Sequence, residues 1–293
     1  MSGTNLTIRR RQLASRLKSL RQQSRMTLET VAALLHSSTA KISRLETGQR
    51  GASVRDVQDL CAIYGVTDVL FIAELISMAR DSRQQVLRQE FGDIGDDAVY
   101  TYMDLEAAAT AITEVEISYV PGLLQTEDYA RALIRGIVPT LSASAVERRI
   151  KARLHRQRLL RDDPPLDFRS FLDEGALWRH IGGPKTMCGQ IDHLVEITES
   201  GRISLQIMPF TMGAYTGMDS PFVLFQLPEP DASIVYLESV GTVEYTEKPS
   251  EVAVYLETVQ RLKETALSPG ASITLLKGIK AAFQHSEAAG SGT

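Results

Sequence analysis

Two short segments with one apolar face each, joined by three small polar residues, constrain the fold of this chain most. The first begins at Thr27, a predicted N-cap, and its apolar residues recur at helical spacing. The second ends at Gly48, which suits the left-handed position after a helix. The apolar residues are Leu28, Val31, Ala32 and Leu35 in the first segment, and Ile42 and Leu45 in the second. His36-Ser37-Ser38 allow only a tight turn, so the pattern predicts two packed helices.

Three more helices are predicted around this pair. Leucines at positions 13, 17 and 20 indicate a helix from about Arg9 to Ser24. Ser53 caps a fourth helix, and a fifth runs from Thr67 into the Met78 region. Five short helices in under eighty residues predict a compact all-α domain over residues 1–80.

The charge of the chain is distributed unevenly. Residues 1–50 hold ten Lys and Arg against Glu29 and Glu46, a net charge of +8. The whole chain has a net charge of −4, so the remainder carries −12. A basic N-terminal segment on an otherwise acidic chain suggests that this segment binds a polyanion. The alternative is that its basic residues are only solvated. Charge alone does not decide between them.

The run from Thr27 to Ala32, followed by Ser37 to Gly48, resembles the lambda-repressor/Cro-like (XRE) helix-turn-helix family. Within it, Ile42-Ser43-Arg44-Leu45-Glu46-Thr47-Gly48 is among the more specific marks of that family. His36 departs from the pattern, since the family commonly has glycine in the turn, and we expect mild backbone strain there. The resemblance covers about residues 9–80 and implies that the protein binds double-stranded DNA.

The resemblance also implies a role for individual residues. The second helix of such a pair lies in the major groove, where Arg44 can bond guanine O6 and N7 bidentately. Arg21 is expected to pair with Glu46. A homodimer on a near-palindromic operator is implied as well. The residues expected at base edges are Ser38, Thr39, Ala40 and Arg44, and those expected near phosphates are Thr27, Leu28, Lys41, Thr47, Gln49 and Arg50.

The chain beyond residue 80 predicts a second domain of a different class. A polar junction is predicted over residues 81–98, with a loop at Phe91–Asp97, followed by an α+β domain over 99–285 and a mobile tail over 286–293. A helix with many arginines is predicted at Ser142–Arg161. Strands are predicted at 111–119, Leu166–Leu172, Ile203–Met208, Phe222–Leu227, Ser233–Glu238 and Thr242–Tyr245, and other helices near Val99–Leu105, at Glu174–His180, Lys185–Glu199, Pro249–Ala266 and after Ser268-Pro269.

Four runs in this second part resemble a domain common downstream of XRE helix-turn-helices in actinobacterial regulators, of the DUF5753 type. These runs are Val120–Leu133, Phe171–Leu177, Ile207–Phe210 and Val235–Glu238. Members of that family are often described as antitoxin-like and encoded beside a partner protein of under a hundred residues. The resemblance therefore implies a small partner protein as an alternative to simple regulation.

Catalytic and ligand-binding alternatives also have candidate residues. Asp173, Glu174 and His180 could serve acid–base chemistry, but the two carboxylates are better explained as the cap and first turn of a helix. The five histidines and two cysteines show no metal-ligand spacing, so we predict no cofactor, no metal and no enzyme. A small-molecule pocket is a further alternative, lined by Tyr129, Trp178, Phe210, Tyr215, Phe222 and Phe225. The arginine-rich helix could bind nucleic acid or an acidic partner.

The composition favours the cytoplasm. No run approaches the roughly 20 apolar residues needed to cross a bilayer, and the N-terminus lacks the apolar part of a signal peptide. Cys61 and Cys188 imply no disulfide framework. Together with these features, the two resemblances imply a multi-domain, dimeric, sequence-specific transcriptional regulator controlled through its second domain. The alternative is an antitoxin-like protein that holds a small partner and regulates its own operon.

Overall fold

Helices alone build the first of the two units into which the computed structural model divides, Met1–Ala108 and Ala109–Thr293. The structure describes residues 3–95, 97–162, 165–227 and 232–290. The helices of the first unit are α1 (Gly3–Gln23), α2 (Leu28–Leu34), α3 (Thr39–Glu46), α4 (Val54–Ile63), α5 (Val69–Phe91) and α6 (Asp97–Ala108).

Short polar side chains start the helices of the first unit. The hydroxyl oxygen of Thr27 accepts a hydrogen bond from the Thr30 N–H, and Ser38 and Ser53 do the same for Lys41 and Asp56. The caps predicted at Thr27 and Ser53 are thus confirmed. The helices enclose one apolar core, which includes Leu13, Leu17, Val31, Ile42, Leu45, Val57, Leu60 and Leu75.

The turn between α2 and α3 is strained at the predicted residue. His36 has a φ of 46°, a left-handed conformation that costs a residue with a Cβ about 1–2 kcal/mol. The Ser37 N–H donates to the Ala32 carbonyl at 2.8 Å and closes the turn. Gly48 adopts a φ of 71° after α3, as its position predicts.

The fifth helix is longer than the sequence pattern predicts. It continues from the Met78 region to Phe91, so much of the predicted junction 81–98 is helical. Polar composition does not distinguish an exposed helix from a loop, and this stretch has no Gly or Pro before Gly92. The break between α5 and α6 lies inside the predicted loop 91–97, of which residue 96 is outside the described residues. The first unit ends at Ala108, and the predicted domain bounds remain predictions.

One mixed six-stranded sheet organises the second unit, which confirms the predicted α+β class. Its strand order is β3-β2-β1-β4-β5-β6. β1 pairs in parallel with β2, and β2 pairs in parallel with β3, whereas the pairs from β1 to β4 and onward to β6 are antiparallel. The strands are β1 (Ala111–Glu116), β2 (Asp167–Asp173), β3 (Ile203–Met208), β4 (Phe222–Gln226), β5 (Ser233–Ser239) and β6 (Thr242–Thr246).

Helices connect the parallel strands and follow the last strand. The helices are α7 (Glu127–Ile137), α8 (Ala143–Arg156), α9 (Glu174–Trp178), α10 (Pro184–Glu199), α11 (Pro249–Thr265) and α12 (Pro269–Gly290). The predicted helix 142–161 ends at Arg156 and continues as a 3-10 turn, Gln157–Leu160. The predicted tail 286–293 begins inside α12, and its last three residues lie outside the described residues.

The two faces of the sheet differ in chemistry. On one face, Val115, Phe171 and Leu224 pack with Val252 and Leu262 of α11 in an apolar core. Because side chains alternate along a strand, Glu114 and Glu116 of β1 lie on the opposite face. Both are buried.

Glu116 is a buried carboxyl group in an acidic neighbourhood. Its Oε2 atom has no hydrogen-bond partner within the described part of the chain. Burial raises the pKa of Glu116 well above its usual range, and the carboxylates of Glu114 and Glu238 raise it further. The backbone N–H groups of Ile117 and Ser118 oppose this effect only in part. We therefore expect Glu116 to hold a proton in the folded protein at neutral pH.

We predict that Glu116→Gln stabilises the second unit more at about pH 8 than at about pH 5. The raised pKa means that the folded chain keeps a proton that the unfolded chain releases. Stability is therefore fully present below the ordinary glutamate pKa and is lost as pH rises toward the folded value, by at most about 1.4 kcal/mol per pH unit. Glutamine keeps the shape of the side chain and removes this loss.

The measurement is urea unfolding of the full chain at both pH values. Glu247→Gln is the matched control, because Glu247 is exposed between β6 and α11. An equal change in the free energy of unfolding at both pH values would contradict the assignment.

Candidate nucleic-acid interface

Helix α3 presents one exposed polar face. Ile42 and Leu45 point into the core of the first unit and fix the orientation of the helix. The residues predicted to meet base edges are then all exposed, namely Ser38, Thr39, Ala40 and Arg44. Small side chains at the start of the helix would let its backbone approach a base pair closely.

Arg44 is the one long cationic side chain on this face of α3. Its Nε donates a hydrogen bond to the Ala40 carbonyl at 3.1 Å, one turn earlier on the same helix. A guanidinium has five N–H donors, so the outer edge of the group stays available for a planar acceptor pair. Arg44 is thus exposed on the surface of α3 with one hydrogen bond to its own helix.

Apart from Lys41, the residues predicted near phosphates lie at the start of α2 and immediately after α3. Thr27 is exposed and Leu28 is half-buried at the start of α2, where backbone N–H groups point out of the helix. Thr47, Gln49 and Arg50 are exposed immediately after α3.

Lys41 differs from the other predicted phosphate contacts. It is half-buried, and its Nζ lies 2.9 Å from Asp56 Oδ1. Burial raises the pKa of Asp56, but hydrogen bonds from the Ser53 N–H and from Lys41 outweigh burial and lower it. Asp56 is therefore charged, and a phosphate near Lys41 would compete with this carboxylate.

Arg21 and Glu46 form the ion pair that the resemblance implies. Arg21 Nε donates to Glu46 Oε1 at 2.7 Å, and Arg21 Nη2 donates to Oε2 at 2.9 Å. A third donor, Nη1, reaches the Met26 carbonyl at 2.8 Å. The Glu46 side chain is only 3% exposed, and its hydrogen bond raises the pKa of the Arg21 guanidinium. The pair joins α1, the turn before α2 and the last turn of α3.

Arg10 is a contributor that the sequence pattern did not single out. Its Nη2 donates to the Gln49 carbonyl at 2.6 Å and so holds the loop after α3 against α1. Gln49 and Arg50 lie in that loop, so Arg10 acts on the predicted phosphate contacts through the backbone. The cluster of basic residues in the first helix was the only available signal.

Two family models match the chain. A helix-turn-helix domain matches residues 12–71, and a domain of unknown function (DUF5753) matches residues 99–278, more than half of the 293 residues. The chain belongs to the DUF5753 family. No curated protein and no solved structure matches it significantly. The helix-turn-helix match lies within the first unit, and the DUF5753 match begins within α6 and includes the whole sheet.

The DUF5753 domain brings its four distinctive sequence runs to one edge of the sheet. β1, β2 and β3 are parallel, and two antiparallel pairings make β5 run in the same direction. The runs at 171–177, 207–210 and 235–238 include or lie beside the ends of β2, β3 and β5, and the run at 120–133 follows β1. Residues far apart in sequence therefore share one edge.

At this edge, Asp173 and Glu174 have structural partners. Asp173 caps α9 by accepting from the Gly175 N–H, and it also accepts from the Tyr215 hydroxyl at 2.6 Å. Glu174 accepts from the Trp178 indole at 3.0 Å and from the Phe210 N–H at 2.8 Å. The preferred explanation of Asp173 as a cap is confirmed, and both carboxylates tie the ends of strands together.

His180 packs edge-on against Phe283, with ring centroids 5.0 Å apart. Among the described residues, no group of three His, Cys, Asp or Glu side chains could hold a metal ion. No helix in the described part of the chain is long and apolar enough to span a membrane.

The aromatic residues suggested as a pocket do not face one space. Phe222 belongs to the core under α11, whereas Phe225, three residues later on β4, lies on the opposite face. Tyr129 is buried, and its hydroxyl accepts from the Val120 N–H at 3.1 Å. Phe222, Phe225 and Tyr129 are therefore explained by ordinary packing, whereas Phe210 and Trp178 are exposed.

We predict that Glu46→Gln destabilises the helix-turn-helix domain by about 3 kcal/mol, because it leaves the Arg21 charge poorly compensated in a mostly buried site. The matched control is Asp59→Asn, which breaks the exposed pair between Arg55 and Asp59 at 3.6 Å and should cost less than about 0.5 kcal/mol. Thermal or urea unfolding monitored by circular dichroism measures both changes. Similar small effects from the two variants would contradict the central position of the pair.

Proposed function

We propose that the protein is a sequence-specific transcriptional regulator that binds double-stranded DNA as a homodimer. The observation that carries this proposal is the exposed face of α3. Its four predicted base-reading residues point outward, while Ile42, Leu45 and Glu46 of the same helix are buried. The matching helix-turn-helix family model supports DNA as the ligand of this face.

Charge supports the same proposal. The first 50 residues carry a net charge of +8, whereas the rest of the chain is acidic. Cations around a groove-reading helix neutralise phosphates and release counterions, so affinity falls with salt concentration. The acidic DUF5753 domain is then free for a different task, and we propose that it controls DNA binding rather than catalysing a reaction.

We predict that Arg44→Ala costs about 1–3 kcal/mol on the preferred operator and relaxes selectivity at one base pair. The operator is first selected from a random pool of duplexes with the wild-type chain. Binding is then titrated on the operator and on its single-base variants by fluorescence anisotropy at two salt concentrations.

Arg50→Ala is the matched comparison, since we propose that Arg50 contacts a phosphate. It should weaken binding to all duplexes by the same factor. It should also reduce the slope of log affinity against log salt concentration by about one. Arg261→Ala, on α11 of the other domain, should change neither quantity. Uniform loss in the Arg44 variant would make Arg44 a phosphate contact, and no selected operator at all would overturn the proposal.

A second candidate function is antitoxin-like capture of a small protein, and one observation favours it. Phe210 is 60% exposed at the sheet edge where the four distinctive runs meet. Trp178 is also exposed, and Glu174 accepts hydrogen bonds from its indole N–H and from the backbone N–H of Phe210. Exposed aromatic side chains are common anchors of protein interfaces.

If this edge binds a partner, Phe210→Ser should weaken the complex at least about tenfold, or about 1.4 kcal/mol. The partner to use is the purified product of any small gene adjacent to the gene for this chain, titrated by calorimetry. Val254→Ser is the matched control, because Val254 is 61% exposed on α11. Equal binding by the two variants, or no complex with the wild type, would count against this function.

A further inference from the structure

A small cavity lies in the DUF5753 domain, and Phe210 is not among the residues that line it. It has a volume of about 160 Å³ and is bounded by α10 and by the segment that follows α8. Its apolar wall comes from Leu123, Leu160 and Ile197. For comparison, an engineered protein cavity of about 150 Å³ binds benzene. The space therefore suits a ligand about as large as one substituted aromatic ring.

Two arginines from separate segments line the same cavity. Arg161 follows the 3-10 turn after α8, and Arg202 precedes β3. Both side chains are exposed, and neither guanidinium forms an ion pair within the described part of the chain. Two like charges around one small space repel each other, and an anion between them would remove that repulsion.

Two further titratable side chains face the cavity, both from α10. His193 is half-buried, and burial together with the nearby Arg161 charge lowers its pKa although Glu196 opposes this effect. His193 is therefore neutral at neutral pH and can donate or accept a hydrogen bond. Glu196 is exposed and would repel an anion, so the charged group of a ligand would lie toward the arginines.

We propose that this cavity binds a small organic anion, with a carboxylate or phosphate group between Arg161 and Arg202 and an apolar body against Leu123, Leu160 and Ile197. Guanidinium groups bind both kinds of oxyanion through paired hydrogen bonds, so the two head groups share one recognition chemistry. The site does not depend on the proposed DNA-binding function, because every residue that forms it lies in the DUF5753 domain.

Calorimetric titration of the full chain tests the proposal with four probes: benzoate, phenyl phosphate, benzyl alcohol and inorganic phosphate. We expect at least one aromatic anion to bind with 1:1 stoichiometry and a dissociation constant no weaker than about 1 mM. Benzyl alcohol has the ring without the charge, and inorganic phosphate has the charge without the ring. Each should bind at least about tenfold more weakly than the better aromatic anion.

Variants then locate the binding. Arg161→Gln combined with Arg202→Gln should weaken the aromatic anion at least about tenfold, because both guanidinium partners are lost. Arg158→Gln is the matched control, since Arg158 is an exposed arginine on the neighbouring turn that does not line the cavity. These substitutions are on exposed side chains, and circular dichroism verifies that the fold is kept.

The outcomes separate clearly. Stronger binding of benzoate than of phenyl phosphate, or the reverse, identifies the head group within the proposed class. Four outcomes would each overturn the proposal: no saturable binding of either aromatic anion, unchanged binding in the double variant, equal binding of inorganic phosphate, or equal binding of benzyl alcohol.

Discussion

The forked hydrogen bond between Arg21 and Glu46 is the interaction on which the DNA-binding surface depends. Both oxygens of Glu46 are held by one guanidinium, and the third donor of that guanidinium holds the chain at Met26. Glu46 lies in the last turn of α3, so the pair fixes the rotation of that helix while Ile42 and Leu45 fix its depth. The exposed side of α3 is therefore set by buried contacts on its other side.

Local signals in the sequence predicted most of the first domain. Caps at Thr27 and Ser53 and the left-handed Gly48 are decided by residues within one turn, so they can be predicted without tertiary information. The full length of α5 was missed because a polar stretch without Gly or Pro is compatible with both a helix and a loop. Two contacts between separate elements were not predicted, the hydrogen bond from Arg10 to Gln49 and the ion pair of Lys41 with Asp56. Such contacts produce no periodic pattern in the sequence.

In the second domain, too, the sequence predicted local elements but not the contacts between elements. Most strands and helices were predicted within a few residues, because alternation and helical spacing are local patterns. The order of the strands in the sheet was not predicted, because β1 pairs with β2 and β4, which lie far from it in the sequence. The shared edge of the four distinctive runs follows from that order, and the cavity lined by Arg161 and Arg202 likewise joins segments that are far apart in the sequence. The aromatic residues of the sequence suggested a ligand pocket that they would line together. Phe222 and Phe225, however, lie on opposite faces of β4.

The central position of β1 has a consequence for the order in which the chain acquires structure during synthesis. The helix-turn-helix domain makes its contacts within the first part of the chain and can fold as soon as that part leaves the ribosome. Both hydrogen-bonding edges of β1 stay unpaired until first β2 and then β4 have been synthesised. The residues of β4 that pair with β1 include Gln226. During synthesis, the chain thus has a folded DNA-binding domain joined to an incomplete sheet. The unpaired edges of β1 can pair with other chains and aggregate until β4 has been translated and pairs with β1.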